Sequence, residues 1–320
     1  MNKHLALAVA AAGVIALAMT GCSTAAEPAP TETVGMRHIQ VAALPIVETS
    51  ALWGAIKAGI FTKHNLDVEV VPAQGGAQAI PALLNGGIQF AIGQPFGPIR
   101  AAQQDLGIVV LSNYASSKAT GPDVNAVVAS AASGIKSIAD LAGKRVSVNS
   151  LGAAGDVTIG AAVDAAGGDA KSIKFVEVAF PDAAAQLDAG NIDAAWVPEP
   201  FVSQIVGGGG TLVMYPYQKT IPGLSLLVNF TTADLAKSDP TMVKDFTEAM
   251  AEALKWAAGN EKDVRQAIKD NLKVPEAVAD NVPLPNFTDK LDKAGIQKLA
   301  DLAVQQGVLD TKPNLSKLYG

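Results

Sequence analysis

The segment LLNGGIQFAIG at 83–93 aligns without a gap on LDAGNIDAAWV at 187–197, an offset of 104 positions. Each copy closes an apolar helical run, turns on glycine, and restarts as a strand that opens with isoleucine and a polar residue. So short a match carries weight only through its surroundings, and both copies stand in the same kind of series. Around the first, His38 to Leu44, Leu66 to Val71, Ile88 to Ile92, Ile108 to Ser112 and Val124 to Ala129 read as strands. Thr49 and Ser50 cap a helix over Ala51 to Ala58 that Gly59 ends, and Ala77 to Leu84 reads as a second helix. The pattern then begins again: a short helix over Ser137 to Ala142, strands at Arg145 to Asn149, Ile173 to Val178 and Ile192 to Val197, and helices over Asp156 to Ala166 and Asp182 to Leu187. Strands alternating with helices of this length predict doubly wound, mostly parallel sheets in two related lobes.

After the second series the pattern turns helical. Leu224 to Thr231 predicts a strand that returns to the first lobe. Asp239-Pro240 opens a helix whose Val243, Phe246, Met250 and Leu254 share one face, and further helices cover Val264 to Leu272 and Lys290 to Gln306. This tail is expected to pack back across the first lobe. The two chain crossings, near Val128 and Gly223, make a hinge. Lobe 1 is then 37–128 plus 223–320, and lobe 2 is 129–222.

The chain of 320 residues begins with an uncharged run of 15, Leu5 to Met19. That is the size of a signal-peptide apolar region and short for a membrane span. The small residues that follow it and precede Cys22, the only cysteine, resemble a bacterial lipobox. Residues 1–21 are read as a lipoprotein signal peptide, Cys22 as the lipid-anchored first residue, and 22–36 as a flexible tether. The alternative is an ordinary secretion signal with a leftover buried cysteine. Either reading exports the chain.

Composition narrows the chemistry. A formal charge of -6, with no block of basic residues, argues against a nucleic-acid partner. Three histidines (His4, His38 and His64) and one cysteine build no zinc site of familiar spacing, and no G-x-S-x-G occurs. The four glycines Gly207 to Gly210 lack the Lys-Ser/Thr of a phosphate loop and read as a helix end and turn. No catalytic residue, metal or cofactor is expected.

Binding fits better. In parallel α/β sheets, ligands lie beyond the carboxyl ends of the strands, where helix amino termini present free N–H groups. Four such places follow the predicted strands: Glu48-Thr49-Ser50, Gln74 to Gln78, Gln94-Pro95-Phe96 and Ser150 to Asp156. The repeat sets Gln94-Pro95 opposite Pro198-Glu199, so the segments GQPF and PEPF would face one crevice from two jaws.

The stretches KAGIFTKHNLDVEVVPAQGGAQAIPALLNGGIQFAIG, SGIKSIADLAGKRVSV and AGNIDAAWVPEPF resemble the periplasmic substrate-binding proteins of ABC importers, in the group associated with nitrate, sulfonate and taurine. The likeness covers nearly all of 37–270. It implies an α/β, two-lobe periplasmic-binding-protein (type II, Venus-flytrap) fold with a helical C-terminal segment. It further implies a monomer that closes on a small solute and presents it to an ABC permease, anchored by lipid to the outer face of the cell membrane. Carried over by position, the resemblance places ligand contacts at Thr49, Ser50, Gly75, Gln78, Gln94, Ser150, Gly152, Asp156, Trp196 and Glu199. Several of these have a plainer reading: Thr49 and Ser50 as caps, Trp196 as core, Glu199 as a hinge group. Arg100 is the one arginine near a predicted cleft loop, either bridging to a ligand or pairing at the surface or between lobes. Trp53, Phe96, Phe180 and Trp196 offer an apolar lining, with Phe201 as ambiguous as Phe96. Together they suggest a small organic anion, an alkanesulfonate or aromatic carboxylate. The alternatives are nitrate, a pyrimidine precursor, a ligand sensor, or a secreted enzyme on the same scaffold.

Overall fold

The computed structural model describes residues 35–319, so the leader, Cys22 and most of the tether lie outside the described residues. The described strands are β1 (Arg37–Ala43), β2 (Leu66–Pro72), β3 (Phe90–Gly93), β4 (Ile108–Ser116), β5 (Asn125–Ala129), β6 (Arg145–Val148), β7 (Lys174–Glu177), β8 (Ala194–Pro198), β9 (Thr211–Met214), β10 (Ser225–Thr232) and β11 (Asn286–Phe287). They form two sheets, ordered β11-β4-β10-β3-β1-β2 and β7-β6-β8-β5-β9. In the first, β1 pairs in parallel with β2 and β3, and β10 runs antiparallel between β3 and β4. In the second, β6 pairs in parallel with β7 and β8, and β5 runs antiparallel between β8 and β9.

Apart from the short β11, the two sheets have one topology. Each has a parallel trio followed by an antiparallel strand, β10 or β5, that the chain contributes as it crosses between sheets. The repeat marks the equivalent strands. Phe90 of β3 lies opposite Val41 of β1, and Ala194 of β8, 104 positions on, lies opposite Val146 of β6. The sheets are therefore mixed, where sequence pattern predicted them mostly parallel.

Two further departures have physical causes. β5 sits in the second sheet, so the first crossing falls within 117–124, ahead of the expected Val128; the return falls within 215–224. Asn125-Ala-Val-Val-Ala is buried at every position, and such a run reads alike in either sheet. Ser137 to Ala142 yields only a 3-10 turn, Ala139–Leu141. The Asp140 carboxylate accepts the N–H groups of Lys136 and Ser137, which closes the segment as a loop.

The tail begins as expected. Asp239 accepts the Met242 N–H at 2.9 Å, with Pro240 in the first turn of a helix over Pro240–Gly259. Phe246 from that helix stacks on Phe90 of β3, ring centroids 3.8 Å apart. Burial of one such ring contributes about 2–3 kcal/mol. The last long helix, Lys293–Gln305, rests instead on Ala154–Ala165, and Gln306 donates to Asp164 at 2.9 Å. The tail thus touches helices of both sheets, not those of the first alone.

Candidate functional site

The carboxyl ends of the parallel strands converge. The loops after β1, β2 and β3 bring Ile46 and Glu48, Gly75 to Gln78, and Gln94 to Arg100. From the second sheet, the loops after β6 and β7 bring Asn149 to Ala153 and Phe180, and β8 brings Trp196 and Pro198. The antiparallel strands point their amino ends the same way and supply Asn125, Leu226 and Leu227. Together these enclose a cavity of about 70 Å³ between the sheets, room for several waters or a few heavy atoms of a solute.

At one wall Glu48 and Asn125 face each other, both buried, and the Asn125 amide donates to Oε1 of Glu48. Burial pushes the Glu48 carboxyl up to about 8, and the neighbouring carboxyls of Glu199 and Asp123 push the same way against the Asn125 hydrogen bond. At neutral pH the group is mostly the uncharged acid. Its Oε2 has no hydrogen-bond partner among the described residues.

Arg100 supplies the opposite chemistry. Its guanidinium lies 5.7 Å from the centre of the Phe96 ring and abuts Gly152 of the second sheet's first loop. Among the described residues it makes no ion pair, and its Nε has no hydrogen-bond partner. The indole Nε1 of Trp196, also lining the cavity, is likewise unpartnered. Two buried donors without acceptors cost free energy unless a ligand or water completes them.

The two walls are tied together. The Asn149 amide donates to Gln74 O at 3.0 Å, Gln94 Nε2 donates to the Tyr217 hydroxyl at 3.3 Å, and Val47 N–H donates to Glu199 O at 3.1 Å. On the first wall, glycines allow the loops to pack backbone to backbone. A Cβ on Gly93 would run into the Cα of Gly76, and one on Gly97 would meet Ala77 N at 3.0 Å.

Of the ten positions expected to touch ligand, Gly75, Gln78, Gln94, Ser150, Gly152 and Trp196 line the cavity. Thr49, Ser50, Asp156 and Glu199 do not. A 3-10 turn, Val47–Thr49, precedes the helix Ser50–Lys57 and turns Thr49 inward, where its hydroxyl lies 2.5 Å from Leu44 O and 2.8 Å from Ile46 O. Ser50 is wholly buried at the helix start. The Asp156 carboxylate accepts the N–H groups of Gly152, Ala153 and Val157, so the loop's own side chain occupies the donors an anion would use. Glu199 accepts from the backbone and hydroxyl of Ser203, starting the helix Phe201–Gly207. Of the aromatic residues, Phe96, Phe180 and Trp196 line the cavity; Trp53 lies in a separate surface groove with Lys57 and Asp270. His38 and His64 sit in pairs with Asp67, Glu69 and Glu252, away from the cavity. Glu48 stood in the first candidate segment, where Thr49 and Ser50 were expected to be the contacts, and Asn125 stands in no local motif; the two lie 77 positions apart.

The sequence pattern described as NMT1/THI5 like matches residues 48–263, two thirds of the chain. The chain belongs to the NMT1/THI5-like family. No curated protein matches it in sequence. Solved structures similar to this family member include the alkanesulfonate-binding protein SsuA from Xanthomonas axonopodis pv. citri bound to MOPS, with 17% identity, 88% of this chain and 98% of that chain covered, and a TM-score of 0.74. A ligand-binding component of an ABC-type import system from Staphylococcus aureus, with zinc bound, has 14% identity, 89% and 96% coverage, and a TM-score of 0.75. The desulfurization enzyme DSZB is similar too, with 14% identity, 88% and 96% coverage, and a TM-score of 0.66. The fold is that of the periplasmic binding proteins, and it carries both binders and an enzyme.

Proposed function

We propose that this NMT1/THI5-like protein is the extracytoplasmic solute-binding component of an ABC importer. It captures a small organic anion, an alkanesulfonate or aromatic carboxylate, between two lobes and delivers it to a membrane permease. The observation that carries the reading is Arg100, a guanidinium at an interlobe cavity with no carboxylate partner among the described residues. The unpartnered Trp196 Nε1 adds a second donor, and Phe96, Phe180 and Leu226 offer an apolar surface for the rest of the solute. Protonated Glu48 sets no negative charge against an anion at neutral pH.

In this reading the lobes are built on the two sheets and hinge at 117–124 and 215–224, where Ser117 N–H donates to Leu224 O at 2.9 Å. Contacts that exist only in the closed form shift the population toward it when the solute binds. Lipidated Cys22 would hold the protein, as a monomer, at the outer face of the membrane. The polar atoms at the cavity are arranged to complete a ligand, and binding without turnover is expected.

Thermal shift and titration calorimetry against alkanesulfonates, aromatic carboxylates, nitrate and pyrimidines test the proposal. The organic anions should raise Tm with rising concentration, and mass spectrometry should recover them unchanged. Stabilisation by pyrimidines or cationic amines alone would sink the anion reading; a converted ligand would make the protein an enzyme.

A further inference from the structure

Beside the main cavity lies a second space of about 160 Å³, which shares Leu44, Ile46, Asn149 and Phe180 with it. Three prolines (Pro45, Pro72 and Pro181) and Ala73, Phe180 and Phe201 give this annex a mostly apolar wall. Gln74 and Asn149 are its polar side chains, and the Asn149 amide is already committed, donating to Gln74 O at 3.0 Å. An aromatic series joins the two spaces. Tyr217 packs edge-on to Trp196 with centroids 6.2 Å apart, Trp196 edge-on to Phe180 at 5.7 Å, and Phe180 stacks with Phe201 at 6.3 Å. Of the buried side-chain polar atoms without partners among the described residues, those on Glu48, Arg100 and Trp196 belong to residues that line the main cavity, and none belongs to a residue that lines the annex. Unpartnered polar groups and apolar surface are therefore divided between two adjoining spaces.

We propose that the annex is a second subsite that takes the apolar tail of the captured anion, and that the ligand is an organic anion bearing an aryl-ended chain. The proposal rests on the anion-binding reading of the main cavity and deepens it. The main cavity holds a charged head group of a few heavy atoms. The annex, more than twice as large and adjoining it at the shared residues Leu44, Ile46, Asn149 and Phe180, holds the chain attached to that head. The series of aromatic edges and faces between them favours a ring over a polar extension.

The test is calorimetric titration with methanesulfonate and a series of phenylalkanesulfonates up to phenylpropanesulfonate. Wild-type affinity should rise about fourfold per methylene buried in the annex. Two variants change side chains that line the annex and not the main cavity: Phe201→Ser removes its aromatic end, and Ala73→Leu fills it without removing any packing. Each should weaken phenylpropanesulfonate at least tenfold more than methanesulfonate. Wild-type affinity that ignores tail length, or variants that weaken both ligands equally, would overturn the subsite. If neither these sulfonates nor the matching phenylalkanecarboxylates bind, the anion reading fails, and a neutral fluorinated phenethyl alcohol followed by fluorine NMR decides the annex separately. Line broadening in wild type that Ala73→Leu abolishes supports the subsite, and its absence in wild type rejects it.

Discussion

Asn125, the first residue of β5, donates its side-chain amide to Oε1 of Glu48, in the loop that leaves β1. One partner belongs to each sheet, and both are buried. The pair therefore ties the walls of the cavity, and a buried hydrogen bond there is costly to leave unmade. It also fixes which oxygen of Glu48 is satisfied. Oε1 faces the amide, and Oε2 is left for a proton, a water or a ligand.

The raised pKa of Glu48 sets the sign of a pH dependence. In an unfolded chain the group titrates near its ordinary value of 4.5, and in the fold burial lifts it to about 8. Between those values the folded protein holds the extra proton, so stability is full below about 4.5 and falls as pH rises toward about 8. Buried Glu199 and Asp123 are also raised by burial and act in the same direction. Glu48→Gln keeps an acceptor for Asn125 and removes the titration. It should cut the loss of stability between pH 5 and 8 by about 3–4 kcal/mol, read as a flatter plot of Tm against pH. Parallel plots for wild type and variant would exclude Glu48 as the source.

In the proposed reading, anion recognition depends on Arg100. A charge-assisted contact in a partly dry site is worth about 1.5–3 kcal/mol, so Arg100→Gln should weaken alkanesulfonate binding by roughly 10- to 100-fold. The guanidinium has no carboxylate partner among the described residues, so the Tm of the ligand-free variant should stay close to wild type. Calorimetry and thermal melting together check this. Unchanged affinity would place the anion elsewhere.

What sequence pattern made legible was the architecture. The repeat marks β3 and β8 as equivalent strands, because a glycine turn into a buried strand leaves a local trace. The loops that line the cavity were legible for the same reason: they follow predicted strands. The side chains within those loops were less so. Thr49 and Ser50 look like donors at a helix start, but the intervening 3-10 turn buries them and leaves Glu48 at the cavity. Asn125 meets Glu48 only through the crossing of the chain between sheets, a long-range event with no periodic signature. β9 went unseen because Thr-Leu-Val-Met after four glycines is short and half-exposed.

The close approach of two loops predicts the cost of a single methyl group. A Cβ on Gly93 would overlap the Cα and N of Gly76, both backbone atoms that cannot swing aside. Gly93→Ala should destabilise the protein by about 1–3 kcal/mol through overpacking and displace the loop that carries Gln94. Denaturant melts should show a lower midpoint with unchanged slope. A midpoint equal to that of wild type would mean that the loops have room to part.

Asp156 separates a structural role from a ligand contact. Its carboxylate accepts the Gly152 and Ala153 N–H groups at 2.6 and 2.8 Å, holding the loop at the start of the helix Ala154–Ala165. Asp156→Ala should therefore cost about 1–2 kcal/mol of stability, as loss of a helix-start acceptor does. Gly152, at φ +66°, would lose the bond that holds its left-handed turn against Arg100. Affinity for an organic anion should fall modestly, as Arg100 loses its neighbour. Supplying the anion at saturation should restore part of the lost Tm. A direct contact predicts the reverse pattern: full stability without ligand, and near-complete loss of binding. Melts with and without ligand distinguish the two outcomes.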